Sequence, residues 1–310
     1  PINVARTSNK GFDGQIGYQD RFGDFNFNTN FVFSYAKNKI EYNAEAQQRY
    51  EWLSATGRPI GQPFGYTWIG YYTPEDVDLI HAGAANAPAI PNTDVPIQAG
   101  DLKYKDLNGD GIIDKGKVTL DNPGDQKVIG NTTPRYSFNI NASASWKGFD
   151  VRVFFEGIAK RDLWIDSPVF WGFPSNSNVW QSAVNDYHVD NSWSENNTNA
   201  YYPLPSYSGR SKQTQTKYLQ NGAYIRLKDL TISYTIPKAW ISTVGIEQLK
   251  VFASGQNLWV GTKLFKYLDP DIVSTRQSNS KDNKLVGNLT SDGKAYPFSR
   301  TFSFGINLTF

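Results

Sequence analysis

Residues 296–310 alternate almost without error. Tyr296, Phe298, Phe302, Phe304, Ile306, Leu308 and Phe310 share one parity, and Ser299, Thr301, Ser303, Asn307 and Thr309 share the other. Side chains of a strand repeat every two residues, so this segment carries an apolar stripe on one face and small polar groups on the opposite one. The pattern recurs upstream. Phe25, Phe27, Phe31, Phe33 and Tyr35 alternate with Asn26, Asn28, Asn30 and Ser34, and Tyr136, Phe138, Ile140, Ala142, Ala144 and Trp146 alternate with serine and asparagine. Beyond a turn at Lys147 and Gly148, Phe149, Val151, Val153 and Phe155 alternate with polar residues, with Phe154 as the one interruption. Leu230, Ile232, Tyr234 and Ile236 alternate with threonine and serine, and weaker alternation covers 12–18 and 249–259. Seven antiparallel strands are predicted, an all-β chain.

The connections between these strands come in two lengths that alternate. Short ones cover 19–24, 147–149 and 237–247, and long ones about 40–133, 160–216 and 261–295. Tight turns at one end and large loops at the other are the habit of outer-membrane barrels, whose strands face lipid on one side and a wet interior on the other. Seven strands make an odd number, so the expectation is one arc of a larger cylinder, its two edges closed by strands from elsewhere.

Composition agrees with strands in lipid rather than helices. Apolar residues are 39% of the chain and mean hydropathy is −0.52, and no stretch approaches the roughly 18 apolar residues of a spanning helix. Aromatics reach 15%, suited to rings at a headgroup boundary. With 31 basic and 29 acidic residues dispersed along the chain, nothing points to nucleic acid. The absence of cysteine excludes disulfides and thiolate chemistry. A chain that starts at Pro1 and has no methionine reads as a piece of something longer, and all 310 residues are expected to form one barrel portion without a plug domain.

Within the loops, residues 74–82 predict a short helix with Glu75 and Asp76 in its first turn. Residues 106–114, DLNGDGIID, match the opening of an EF-hand loop, which would make Asp106, Asn108, Asp110 and Asp114 ligands of a Ca²⁺ ion, with Asp101 as a distal donor. Position 12 of that loop is Lys117 where a bidentate Glu belongs, and the competing reading is a self-bonded Asx turn. His81 and His188 have no partners for a triad or a zinc site and are expected on loop surfaces, and acidic pairs such as Asp76 and Asp78 read as solvated. No catalytic residues are assigned. The loop aromatics are too dense for disorder. Trp68, Trp164, Trp171, Trp180 and Trp193 are the candidates for facing ligand or partner, with packing of an ordered lid as the rival role.

Several segments resemble the C-terminal part of the SusC-type TonB-dependent transporters of Bacteroidota. They are SNKGFDGQIGY (8–18), GDLKYKDLNGDGIID (100–114), VIGNTTPRYSFNINASASWKGFDVRVFFEG (128–157) and NDYHVDNSWSENNTNAYYP (185–203). Further on come YIRLKDLTISYTIPKAW (224–240), LKVFASGQNLWV (249–260) and YPFSRTFSFGINLTF (296–310). The resemblance implies a barrel of about 22 strands, of which these seven are the last, in the outer membrane of a Gram-negative bacterium. It further implies an N-terminal plug and TonB-contacting segment that this sequence does not contain, a SusD-type surface lipoprotein as partner, and Phe310 as part of the barrel-assembly signal. His188 departs from the family, which more often has Trp after the tyrosine. The implied activity is import of an oligosaccharide or oligopeptide without enzymatic chemistry. The rivals are a secreted, calcium-stabilised carbohydrate-binding module and a passive porin-like pore.

Overall fold

The computed structural model describes residues 5–93, 95–172, 183–206, 209–242, 245–271, 275–277, 289–291 and 297–310. Seven long strands form one antiparallel sheet: β1 (Ala5–Phe22), β2 (Phe25–Asn43), β3 (Tyr136–Trp146), β4 (Phe149–Ile158), β5 (Tyr224–Thr235), β6 (Gln248–Thr262) and β7 (Thr301–Thr309). Each pairs with its sequence neighbour, so the sheet is a meander with β1 and β7 at its edges. The two tightest turns use the backbone that hairpins demand. Lys147 and Gly148 both have positive φ, at 45° and 90°, and Gly23 opens the other at 63°.

Register aligns the apolar stripes of all seven strands. Directly opposed residues of antiparallel strands lie on one face, and one continuous row runs Thr29, Ala142, Val153, Leu230, Gly255, Phe302. Other rows on the same face run Phe33, Phe138, Gly157 and Phe27, Ala144, Val151, Ile232, Ala253, Phe304. Phe154 does not shift the phase. It sits on the polar face, opposite Asn141 and Asp229.

Three boundaries differ from the sequence expectation. The last strand begins at Thr301 and not at Tyr296, and Phe298, read as part of its outward stripe, turns its ring to Arg226 and Lys228 instead. Alternation in β5 is legible only from Leu230 because a bulge at Lys228 puts Leu227 and Leu230 on the same face, against Trp259 and Gly255 of β6. The facing strand answers with Asn257 at φ 54°, a conformation that asparagine tolerates better than most residues. The strand therefore begins at Tyr224, six residues before the pattern becomes visible. The hairpin of β1 and β2 likewise runs beyond its apolar rows, into Lys10, Lys37 and Lys39.

The three long connections all leave from the same end of the sheet and share one core. Tyr66, Leu102, Tyr104 and Ile113 come from the first, Leu163, Trp164, Ile165, Phe170, Trp171, Tyr202 and Tyr218 from the second, and Leu264, Phe265 and Leu268 from the third. Backbone bonds knit the first two together, Tyr66 N–H to Thr214 at 2.9 Å and Leu204 N–H to Gly100 at 2.9 Å. Gly100 has φ 89° and lies against the ring of Trp193, where a Cβ would collide with the indole. The expected helix is present as α1 (Pro74–His81), capped reciprocally by Thr73 and Asp76.

Candidate functional site: an uncovered apolar wall under a packed loop layer

The outward face of the sheet has no second layer among the described residues. Phe304 is 81% exposed and Phe310 80%, and Phe12, Ile16, Phe302 and Ile306 are each more than half exposed. Aromatic rings mark both limits of this face. Near the turns lie Phe25, Trp146, Phe149 and Tyr234, and near the loops Phe12, Tyr35 and Tyr136, with Tyr35 and Tyr136 at 4.9 Å between ring centroids. Tyr136 and Trp146 stand at opposite ends of the 11-residue β3. At about 3.3 Å per residue and a tilt of about 40° they are separated by about 25 Å along the barrel axis, the height of a lipid-facing apolar band. Trp240, in the connection between β5 and β6, is 72% exposed at the turn end.

The inner face carries an ionic network that sequence reasoning did not find. Arg226 and Lys228 of β5 meet Asp269 and Asp271 of the third long connection: Arg226 pairs with Asp269, and Lys228 bridges Glu156 of β4 at 2.7 Å and Asp271 at 3.1 Å. Tyr224 donates its hydroxyl to Asp271 at 2.9 Å, and the Arg226 guanidinium lies 5.3 Å from the ring centre of Phe298. The Arg226 and Asp269 side chains are 3% and 9% exposed. Burying such charges is tolerable only because each has an opposite partner. The available signal was a run of alternating charges, Arg226, Lys228 and Asp229, where the apolar period fails.

The loop aromatics mostly pack. Trp164, Trp171 and Trp193 are 3%, 5% and 7% exposed, with their rings packed against protein. Trp171 donates its indole N–H to the Ile165 carbonyl at 2.9 Å and lies 4.8 Å from the ring centre of Tyr218. Trp180 lies outside the described residues. Trp68 is half-buried and forms, with Tyr71, a cradle for Lys217, whose ammonium is 4.3 Å and 4.1 Å from the two ring centres. Burial pushes that ammonium down to about 8, and the ring faces supply the negative potential that a carboxylate would otherwise provide.

The 106–114 segment is a self-bonded turn. Asp106 accepts from the backbone N–H groups of Gly109 and Gly111 at 2.6 Å and 2.9 Å, and Asn108 from Asp110 at 3.0 Å. Asp110 accepts from Ile112 at 2.9 Å and Asp114 from Gly116 at 2.7 Å. Asp125, fully buried, closes the base by accepting from Leu107 and Asp114, and burial raises its carboxyl above the usual range. Among the described residues no three acidic or imidazole side chains converge as a metal site. Asp101 is buried and accepts from the Gln98 N–H at 2.7 Å.

The histidines part company. His81 is exposed as expected. His188, expected on the surface, is 1% exposed: Nε2–H donates to the Phe170 carbonyl at 3.2 Å, and Nδ1 accepts from the Asn185 N–H at 3.3 Å. A neutral imidazole with both nitrogens bonded can occupy a core, and desolvation holds its affinity for a proton below normal. Asp76 bonds Lys103 at 2.6 Å and the Thr73 N–H at 3.0 Å, a structural role and not a catalytic pair with Asp78.

No family model matches the chain. It is 26% identical to TonB-dependent receptor P3 of Formosa agariphila over 99% of its length and 29% of that protein's, and 24% identical to TonB-dependent receptor P26 of the same organism over 99% and 30%. The chain thus spans less than a third of these relatives. Among solved structures it is similar to the RagAB peptide transporter, with a TM-score of 0.65 at 18% identity, and to the RagAB peptide importer in its closed-closed state, with a TM-score of 0.66 at 19%. Each covers 99% of this chain, which in turn covers 29% and 30% of them. At such identity these structures speak for the fold.

Proposed function

We propose that the chain, similar over 99% of its length to two TonB-dependent receptors, forms part of the wall and external loops of a SusC-type importer in the outer membrane of a Gram-negative bacterium. Its work is not enzymatic. The observation that carries the proposal is the apolar face: seven aligned strands with exposed stripes and aromatic margins have no stable place in water, and they match a hydrocarbon slab. The long connections stand on the outer side as a packed layer over the barrel mouth, next to a SusD-type lipoprotein. The Arg226–Asp269 and Lys228–Asp271 pairs pin that layer to the inner wall. Energy comes from TonB through a segment outside this sequence.

The cargo is an oligopeptide or an oligosaccharide, with the oligopeptide as the first to test because the RagAB structures that share this fold are of a peptide importer. The test is made on the full-length protein in its host. Outer-membrane fractionation, heat-modifiable migration and TonB-dependent uptake of labelled oligopeptides are expected, with labelled oligosaccharides as the comparison. A full-length protein that is soluble without detergent overturns the proposal, and uptake of the sugar alone moves the cargo to glycan.

A further inference from the structure

We propose that the outward face of the β1–β2 hairpin binds the phosphate-bearing headgroup of a lipid in the loop-side leaflet, a site that rests on the membrane reading above. Register sets Lys10 directly opposite Lys37 and Ser8 opposite Lys39, and parity places these side chains on the face of Phe12 and Tyr35. Like charges directly opposed weaken a strand pair, so this arrangement calls for a counter-charge. Among the described residues no ion pair joins Lys10 or Lys37 to a carboxylate. Glu41, the one acid at the site, is held by Lys39 at 2.8 Å and by Ser8 at 2.7 Å. Three ammonium groups therefore face one carboxylate around a depression of about 440 Å³, with the Phe12 and Tyr35 rings, 5.5 Å apart, as its apolar side.

Depth selects the ligand. The Lys10–Lys37 pair lies one row, about 7 Å along the strand, beyond the Phe12–Tyr35 row that adjoins Tyr136. Rings at that margin mark the edge of the hydrocarbon, so the lysines stand at headgroup level, with flexible stems able to follow a phosphate. An ammonium rim beside an apolar ring pair suits an amphiphile better than a free anion, and Lys donors suit phosphate.

The experiment uses the full-length protein, wild type and the K10Q/K37Q double variant, in phosphatidylcholine nanodiscs doped with phosphorylated lipid A or with its dephosphorylated form. Retained lipid is read by native mass spectrometry. Wild type is expected to retain the phosphorylated lipid. Loss of two surface lysines, at the usual value per charge, is expected to weaken retention about 30-fold, and the dephosphorylated form is expected to be held no better by wild type than by the variant. Equal retention by both proteins overturns the proposal, as it would if a neighbouring strand outside this sequence neutralised Lys10. Displacement by inorganic phosphate at equal concentration reassigns the site to a free anion and overturns it too. Heat-modifiable migration of the variant controls for folding. Failure of the wild-type protein to enter nanodiscs at all defeats the membrane reading, whereas normal entry without headgroup preference defeats only this one.

Discussion

Asp106 and His188 show how much a single side chain decides here, and how differently. The Asp106 carboxylate binds two backbone N–H groups of the following turn, so Asp106→Ala is expected to cost about 1–3 kcal/mol of loop stability by leaving them unpaired. Thermal unfolding of the full-length protein checks this. The loss is expected to be the same in EDTA and in Ca²⁺, and a loss confined to Ca²⁺ would make these residues metal ligands. His188 has its proton affinity lowered by burial. The unfolded chain takes up a proton on this residue near pH 6.5 while the folded chain still resists, so stability falls as pH drops below about 6.5 and is unaffected above it. Thermal unfolding measured from pH 7.5 to 5 is expected to show that decline in wild type and a flatter profile in His188→Gln, where no proton is gained. From sequence, the EF-hand spacing and a self-bonded Asx turn could both be read, and only the folded loop shows which backbone N–H groups engage which carboxylates. A histidine among asparagines and aspartates did not show that it was buried, because its partners, Asn185 and the Phe170 carbonyl, belong to the folded loop.

Strands carried the clearest signal, since a face that meets a uniform medium must repeat its chemistry every second residue. Neighbouring positions of β7 therefore have opposite fates. Phe302 lies in the middle row of the outward face and Ser303 on the inner face. Phe302→Arg is expected to destabilise the full-length barrel by about 2–4 kcal/mol, and Ser303→Arg to cost little. Unfolding by denaturant in vesicles measures both, and equal costs would contradict the assignment of faces. The start of β5 escaped notice because the bulge at Lys228 reverses parity, and the same irregularity aims Lys228 at Glu156 and Asp271. Where the period failed, the ionic network began.

Two bodies with different solvents make up the molecule: a wall stabilised by strand pairing against lipid, and a loop layer with an aromatic core of its own. Trp171 belongs wholly to the second, so Trp171→Ala is expected to remove about 3–5 kcal/mol from the loop layer, seen as faster proteolysis of the long connections, while heat-modifiable barrel migration persists. Simultaneous loss of both would show the two to be one cooperative unit. The sequence by itself determined the seven strands, their faces, the alternation of short and long connections and the family likeness, because each depends on local period or on spacing along the chain. Tertiary structure alone decided that Trp164, Trp171 and Trp193 turn inward, that Arg226 and Lys228 find Asp269 and Asp271, and that Lys10 stands opposite Lys37. Those outcomes depend on register and on encounters between distant segments, which no periodicity records.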